Sequence, residues 1–453
     1  MLSVAEILKA TSGVFYEPAC KGRIKGICIN SRVLKKGDAF VAIVGQRHDG
    51  HAFVDAAIKQ GASLVVISDK KYLPENFSSI LVKDTTKALG HMASAYRMKF
   101  DIPVIAITGS AGKTTAKDMI AAVLSKKFKV LKTEKNENNQ YGLPLTLFKL
   151  RKSHQAAVVE IGTNQPGDIP WLASIARPTV AVFTNIGESH LERLKTVGGV
   201  FNEKFKLVKF LAKDGVIIYN NDDVFLKKIQ HKKLKQKRMA YGIRAHSLVQ
   251  AKHIALTNSQ VSFEVAGEKY VLKTLSQHNV YNALSSICCG RYFKIRYNEI
   301  HAALKRFGFS QNRQVMSKVG GVFLFDDTYN ANPVSFRSAV ATLNAFQVRG
   351  KKILVCGDML ELGKHSILLH QQLGEVIRLT SVHQVLTIGK FSKEITQVLK
   401  SDHKGKESRH FESLQRLNEH LKNVCAPGDA VLVKGSRGMQ LEKVIEFMKT
   451  NIR

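Results

Sequence analysis

Val104-Ile105-Ala106-Ile107-Thr108-Gly109-Ser110-Ala111-Gly112-Lys113-Thr114-Thr115 is the stretch that decides how this chain is read. Its four leading apolar residues predict a buried strand. Lys117-Asp118-Met119-Ile120-Ala121-Ala122-Val123-Leu124, just beyond it, predicts a helix. Strand, glycine loop and helix in that order are the setting of a phosphate-binding loop. Gly109 and Gly112 let the backbone curl so that its N–H groups converge, and the helix N-terminus adds partial positive charge. Ser110, Ala111 and Thr115 complete the loop. The Lys113 ammonium is placed to reach terminal phosphates, and the Thr114 hydroxyl to ligate Mg²⁺. The stretch points to a nucleoside triphosphate. The usual spacing of such a loop would need Gly at 107, where this chain has Ile.

Outward from the loop, short apolar runs alternate with helical patterns along the whole chain. Before it lie the expected strands Gly26-Ile27-Cys28-Ile29, Ala39 to Ile43 and Ser63 to Ile67, with a helix over Ala52 to Gln60. After it come Ala156 to Ile161, Val180 to Thr184 and Gly215 to Tyr219. From Arg313 onward the strands Val322 to Asp326, Lys352 to Cys356, Gln384 to Ile388 and Ala430 to Val433 follow. Such alternation predicts mostly parallel sheets covered on both faces, with ligands beyond the carboxyl ends of the strands. The expected fold class is α/β in three domains: a small N-terminal α/β domain over 1–100, a central phosphate-loop domain with a mostly parallel sheet over 101–310, and a C-terminal Rossmann-like domain over 311–453. A chain of 453 residues is too long for one ordinary core.

Composition narrows the function classes. Hydrophobic content of 44% with only 9 Pro argues for globular structure over disorder. The six cysteines show no Cys-x-x-Cys spacing and predict reduced thiols of a cytoplasmic protein. The amphipathic segment Met1 to Leu8 predicts a helix, not a signal peptide, and no run is long enough to cross a membrane. Lys and Arg number 69 against 36 Asp and Glu, a formal net charge of +33. The densest basic run, Lys227 to Arg238, has no interleaved aromatics, which favours a solvated face over a nucleic-acid groove. Nucleic-acid binding, polyanionic small substrates and a lysine-rich proteome each account for the excess charge.

Three further residues, Glu160, Asn185 and His190, draw attention in the central block. Glu160 ends the strand Ala156–Ile161, where a carboxylate beside a phosphate loop can hold Mg²⁺. Asn185 and His190 follow the next strand and would project into the same crevice. Lys204 lies fourteen residues after His190 in what reads as an amphipathic basic helix, and nothing local singles it out.

Taken in order, Thr-Gly-x-x-Gly-Lys-Thr, Glu at a strand end, Asn-x-x-x-x-His and a lysine fourteen residues on resemble the ATP-dependent Mur ligases, amide-forming enzymes of peptidoglycan precursor synthesis. The short loop is that family's own form. The resemblance covers nearly the whole chain and sharpens at Asp49-Gly50-His51-Ala52-Phe53, Asn138-Asn139, Gln277-His278-Asn279-Val280-Tyr281-Asn282, Asp326 to Ser335, Gly357 to Gly363 and Val433 to Met439. These segments are similar to the member that joins D-alanyl-D-alanine to UDP-N-acetylmuramoyl-tripeptide.

The resemblance implies a mechanism and a set of roles. A peptide carboxylate attacks the γ-phosphate of ATP to give an acyl phosphate, which the amine of D-alanyl-D-alanine then attacks. Lys113 cradles the β- and γ-phosphates. Thr114 and Glu160 hold one of two Mg²⁺ ions, and His190 helps to hold the second. Lys204, at a position typically carbamoylated, would add an anionic ligand there. Asn282 contacts adenine, Arg313 reaches the ATP phosphates, and Asp327 lies near the ribose. Ser31 and Arg32 contact the uridine nucleotide, although Asn30 stands where the family usually has Asp. Asn138, Asn330 and Asn332 serve substrate binding. The implied protein is a monomer without nucleic-acid partners. The competing readings are a sister ligase with another amine acceptor and a basic NTPase stimulated by nucleic acid through Lys227–Arg238. Hinges are expected near Pro103 and Arg313.

Overall fold

The computed structural model describes residues 1–16, 24–45, 48–309, 315–400 and 406–452. Three main sheets follow one another along the chain. The first holds β1 (Val14–Tyr16), β2 (Ile27–Cys28), β3 (Ala39–Val41), β4 (Leu64–Ile67) and β5 (Ser79–Leu81) in the order β1-β5-β4-β3-β2. Its pairings are parallel except β1 with β5.

The second sheet is entirely parallel. It is built from β6 (Val104–Thr108), β7 (Val130–Lys132), β8 (Ala156–Glu160), β9 (Val180–Phe183), β10 (Val216–Asn220), β11 (Lys237–Gly242) and β12 (Val249–Gln250), in the order β12-β11-β10-β9-β6-β8-β7. Every residue of β6, β8, β9 and β10 is buried. Helices cover both faces, so these strands read as unbroken apolar runs without alternation. The chain leaves β6 toward β8 and β7 on one side and returns to β9 on the other. The strand order therefore reverses beside β6, where a crevice opens past the carboxyl ends.

A small antiparallel sheet follows: β13 (Lys252–Leu256), β14 (Val261–Val265) and β15 (Glu268–Leu272). The sequence reading did not anticipate it. Its signal is alternation: Val261, Phe263 and Val265 point inward while Ser262 and Glu264 are only partly covered. The third main sheet joins β16 (Val315–Val319), β17 (Val322–Asp327), β18 (Lys352–Gly357), β19 (Gln384–Ile388), β20 (Glu407–Phe411) and β21 (Ala430–Lys434) in the order β16-β17-β21-β18-β19-β20, with only β16 antiparallel.

The N-terminal sheet is fixed firmly to the central one. Its helix Thr85–Arg97 packs on the helices Gly142–Phe148 and Asp168–Ala176. Gly90 permits the approach, since a Cβ there would lie 2.4 Å from Cζ2 of Trp171. The ammonium of Lys87 sits 3.9 Å from the centroid of the same indole. Arg97 donates to the carbonyls of Ala176 at 3.3 Å, Phe100 at 2.6 Å and Ile102 at 3.0 Å, and the Tyr96 hydroxyl to that of Leu150 at 2.9 Å. The linker before Pro103 is thereby stapled down, which argues against a hinge there.

The start of the basic run folds as a 3-10 turn, Leu226–His231, that buries Leu226 and Ile229, and its end enters β11 at Lys237. Arg238 clasps it by donating to the carbonyls of Ile229, Gln230 and Lys232. Lys228 and Lys232 lie 4.9 Å from the ring centroids of Phe225 and Phe205. These phenyl faces carry ammonium groups and are not bare platforms for bases. Among the described residues, no helix is long and apolar enough to cross a membrane.

Candidate active site

The loop after β6 opens with Gly109 and ends at Gly112, whose φ of +78° is a left-handed conformation suited to glycine. A Cβ at Gly112 would also meet Oδ1 of Asn282 at 2.7 Å. The helix Lys113–Leu124 starts immediately afterwards, and its first intrahelical bond runs from Ala116 N–H to the Gly112 carbonyl. The N–H groups of Lys113, Thr114 and Thr115 therefore have no intrahelical acceptor, which is how a helix start presents donors to an anion.

The rest of the loop is tied down from the segment after β9. The N–H of Ser110 donates to the Asn185 carbonyl, and that of Ala111 to Asn185 Oδ1 at 2.8 Å. Asn185 Nδ2 and the Thr184 hydroxyl both donate to the Ala111 carbonyl, at 3.1 and 2.6 Å. The Ser110 hydroxyl joins the Gly187 backbone. Asn185 thus shapes the loop and is not among the residues that line the cleft. The Lys113 ammonium donates to the Gly109 carbonyl at 2.8 Å, arching back over the loop.

Glu160 ends β8 one strand away. Its Oε2 accepts from the Thr114 hydroxyl and its Oε1 from Asn138 Nδ2, both at 2.7 Å. The sequence reading assigned Asn138 to substrate; the structure joins its amide to this carboxylate. Thr133 Oγ1 accepts the Glu160 N–H, and the buried Lys117 donates to the Thr133 carbonyl at 2.6 Å. Neither support was singled out from sequence.

Lys204 is fully buried on the helix Val197–Phe205, and its Nζ has no hydrogen-bond partner. Burial, reinforced by the charge of Lys113, holds its pKa well below the ordinary lysine value, against the opposing pull of Glu203 and Glu160. Glu203 is occupied elsewhere: it accepts from the N–H groups of Gly167 and Ile169 and pairs with Lys206 at 2.7 Å. The sequence did carry a signal for Lys204. Val197, Val200, Phe201 and Lys204 fall on one helical stripe, so the lysine stands at an apolar position.

His190 is a half-buried residue with φ +52°. Burial holds its pKa below the ordinary histidine value, with Lys204 and Lys113 pushing the same way and Glu361 opposing. Its Nδ1 lies 2.6 Å from Glu361 Oε2, a residue brought over from the C-terminal unit. The same unit reaches the loop itself: Asn332 caps the helix Pro333–Ala345 and donates Nδ2 to the Ser110 carbonyl at 3.0 Å. Arg337 pairs with Glu188 at 2.9 Å.

Asp327, at the end of β17, is buried and paired with the Lys434 ammonium at 2.8 Å, from the end of the adjacent strand β21. Lys434 also donates to the Asn330 carbonyl at 2.9 Å, fixing the loop that leads to Asn332. Lys434 and Glu361 both lie in segments legible in the sequence, but no role there was assigned to either. Asn282 is buried and donates to Asn279 Oδ1 at 3.0 Å. Ser31 and Arg32 form a 3-10 turn capped by Asn30, which accepts from Arg32 N–H at 3.1 Å. The usual Asp could accept the same bond. Arg313 falls outside the described residues.

A cleft of about 1260 Å³ unites most of these groups. Lys113, Thr114, Asn138, Glu160, His190, Asn282, Asp327, Asn330, Asn332 and Lys434 line it, with Trp171 and Arg193 on the central side. Val44, Gly45 and His48 reach it from the N-terminal sheet; Ser31 and Arg32 are not among its lining residues. Among the described residues no three or more His, Cys, Asp or Glu side chains form a ready-made metal cage. That suits Mg²⁺, which takes one or two protein oxygens and completes its shell with phosphates and water.

A phosphate-binding loop at the switch point of a parallel sheet, closed over by a second sheet unit, defines a nucleotide-dependent α/β enzyme whose cleft admits more than one substrate. Comparison with known proteins sharpens that class. Residues 23–97 match the Mur ligase family catalytic domain, 107–290 the Mur ligase middle domain, and 313–437 the Mur ligase glutamate ligase domain. The chain belongs to the Mur ligase family. It is 35% identical over 451 residues to the UDP-N-acetylmuramoyl-tripeptide--D-alanyl-D-alanine ligase of Bacillus subtilis (strain 168), covering 98% of this chain and 97% of that one. Identity to the ligase of the same name from Escherichia coli (strain K12) is 32%, covering 94% of each. Among solved structures, MurF from Acinetobacter baumannii matches with a TM-score of 0.91 at 28% identity, over 99% of this chain and 98% of that one. The MurF ligase of Thermotoga maritima, solved in complex with ADP, matches at 0.84 and 27% identity, over 95% and 98%. The expected family and the expected three-part α/β architecture both hold.

Proposed function

We propose that this chain is the ATP-dependent ligase that joins D-alanyl-D-alanine to UDP-N-acetylmuramoyl-tripeptide, completing a pentapeptide precursor of peptidoglycan. One observation carries the reading: the Asp327–Asn332 segment of the C-terminal unit closes directly on the phosphate loop through Asn332 and Ser110. That contact supports a nucleotide site and a second substrate site sharing one cleft. The three units would divide the work as 1–100 for the uridine nucleotide, 101–310 for ATP and 311–453 for closure and the amine substrate.

Within that reading Lys113 and the first-turn N–H groups hold the β- and γ-phosphates, and the peptide carboxylate displaces ADP to give an acyl phosphate. The incoming amine then attacks the carbonyl, and phosphate leaves as the amide forms. Two anions must meet in this cleft, so cations are its chief catalytic need. Mg²⁺ supplies charge neutralisation when bound. Thr114 and Glu160 would hold one ion, and His190 with Lys204 a second. The donor chemistry fits: the Lys204 amine is buried and unpartnered, and its pKa is held well below the ordinary lysine value, which favours the neutral form that adds CO₂ to give an anionic carbamate with release of a proton. Asn282 would flank adenine and Asp327, oriented by Lys434, the ribose. Arg313 would reach the phosphates, Ser31 and Arg32 the uridine nucleotide, and Asn138, Asn330 and Asn332 the peptide. A monomer acting in the cytoplasm completes the proposal.

Phosphate release from ATP, with each substrate added or omitted, tests it. The expected outcome is turnover that requires both UDP-N-acetylmuramoyl-tripeptide and D-alanyl-D-alanine, with a pentapeptide product by mass spectrometry. Hydrolysis indifferent to both, or stimulated by RNA, would overturn the substrate assignment.

A further inference from the structure

Glu361 has no part in the roles set out above, yet it makes a close polar contact with a central site residue. Its Oε2 is 2.6 Å from His190 Nδ1, across 171 residues of sequence and from a different sheet unit. Its backbone takes part as well: the Glu361 carbonyl accepts the Glu192 N–H at 3.1 Å. Two residues on, Gly363 at φ +57° lets the chain pass so close that a Cβ would lie 3.0 Å from the Glu192 Cα. Glu361 itself sits at φ +63° and His190 at +52°, so both partners are held in conformations ordinary residues adopt rarely.

The loop that presents Glu361 is pinned to its own unit. Met359 N–H donates to His370 Nε2 at 3.0 Å, and Leu360 N–H to the Ser436 hydroxyl at 2.9 Å. His190 is anchored in the central unit, its carbonyl accepting from Leu194 N–H at 2.9 Å. Neither side chain can follow the other if the units part. An ionised carboxylate only accepts, so Nδ1 must carry the ring proton and Nε2 the lone pair. A carboxylate behind a metal-binding histidine fixes its tautomer and orientation.

We propose that Glu361 is a positioning residue which sets His190 for metal binding only while the C-terminal unit is docked, so that the second metal position is completed by closure. The inference rests on the metal role proposed for His190. It explains how a labile acyl phosphate would be avoided until the cleft is shut: the open molecule lacks an oriented His190.

Mn²⁺ binding to the full-length protein in the presence of ADP, followed by electron paramagnetic resonance alongside steady-state kinetics, tests this in four variants. H190A examines the underlying role. E361A is expected to weaken the lower-affinity Mn²⁺ site and kcat by about 10–100-fold while the KM for ATP holds. R337A removes a docking pair that touches no metal-site residue, and is expected to weaken Mn²⁺ binding less than E361A does, because the Asn332 and Glu361 contacts still hold the unit in place. The H190A/E361A double variant is expected to be no worse than H190A, because the glutamate acts only through the histidine. If H190A weakens Mn²⁺ binding but E361A does not, or if R337A and E361A behave alike, Glu361 is a docking contact only and the proposal falls. If H190A itself leaves Mn²⁺ binding intact, the metal role of His190 falls, and the positioning role with it.

Discussion

An ammonium without a hydrogen-bond partner is among the costliest groups a fold can bury, so a lysine in that position gives up its proton more readily; Lys204 is buried with no partner for its Nζ. Its folded pKa lies well below the ordinary 10.5. Between those two values the unfolded chain holds a proton that the folded chain does not, so stability rises with pH through this window and falls as pH drops from 10.5. Lys204→Met should abolish that slope and stabilise the fold, with the gain larger at pH 8 than at pH 10, as denaturant unfolding in CO₂-free buffer would show. The same variant should lose activity by about 100-fold or more, since charge placed at the reacting phosphates is removed. A variant as active as wild type would end the proposed role. The helical stripe that Lys204 interrupts is visible in the sequence, but stripe membership alone does not show an unpartnered amine; that depends on Glu203 being engaged by Gly167, Ile169 and Lys206.

At the scale of elements, the phosphate loop was legible because strand, glycines and helix are local signals. Its tether was not, because Thr184 and Asn185 lie more than seventy residues away and meet Ala111 only once β9 pairs with β6. The helix His278–Tyr292 shows the same limit. Its packing on the loop helix brings Asn282 against Gly112, a contact no periodicity announces. Gly112→Ala should therefore fail twice, through φ +78° and through the 2.7 Å approach of Asn282 Oδ1. A stability loss of about 1–2 kcal/mol is expected from the backbone alone, with weaker ATP binding besides. Unfolding curves and nucleotide titration would read the two effects separately. The β13–β15 sheet escaped the sequence reading for a related reason: strand pairing across two tight turns gives only short alternations within a block dominated by helix-and-strand alternation.

At the scale of the whole molecule the two seams differ in kind. The N-terminal seam is stapled by Arg97 and Tyr96 and filled by Trp171 against Gly90. Around the cleft the C-terminal seam is polar: Asn332 on Ser110, Arg337 on Glu188 and Glu361 on His190. Polar contacts exchange readily with water, whereas a packed indole does not. Hydrogen exchange should thus show amides in 187–194 and 330–337 slowing when an ATP analogue and the tripeptide substrate bind, with those of 90–103 unchanged. Protection changing equally at both seams would mean that the N-terminal unit moves too. Trp171 adds an optical consequence. It is the only tryptophan of the chain, it lines the cleft, and it carries the Lys87 ammonium on its ring. Its emission colour and brightness therefore report on one place, the wall of the cleft at the stapled seam, and a fluorimeter can follow filling of the cleft in unlabelled protein.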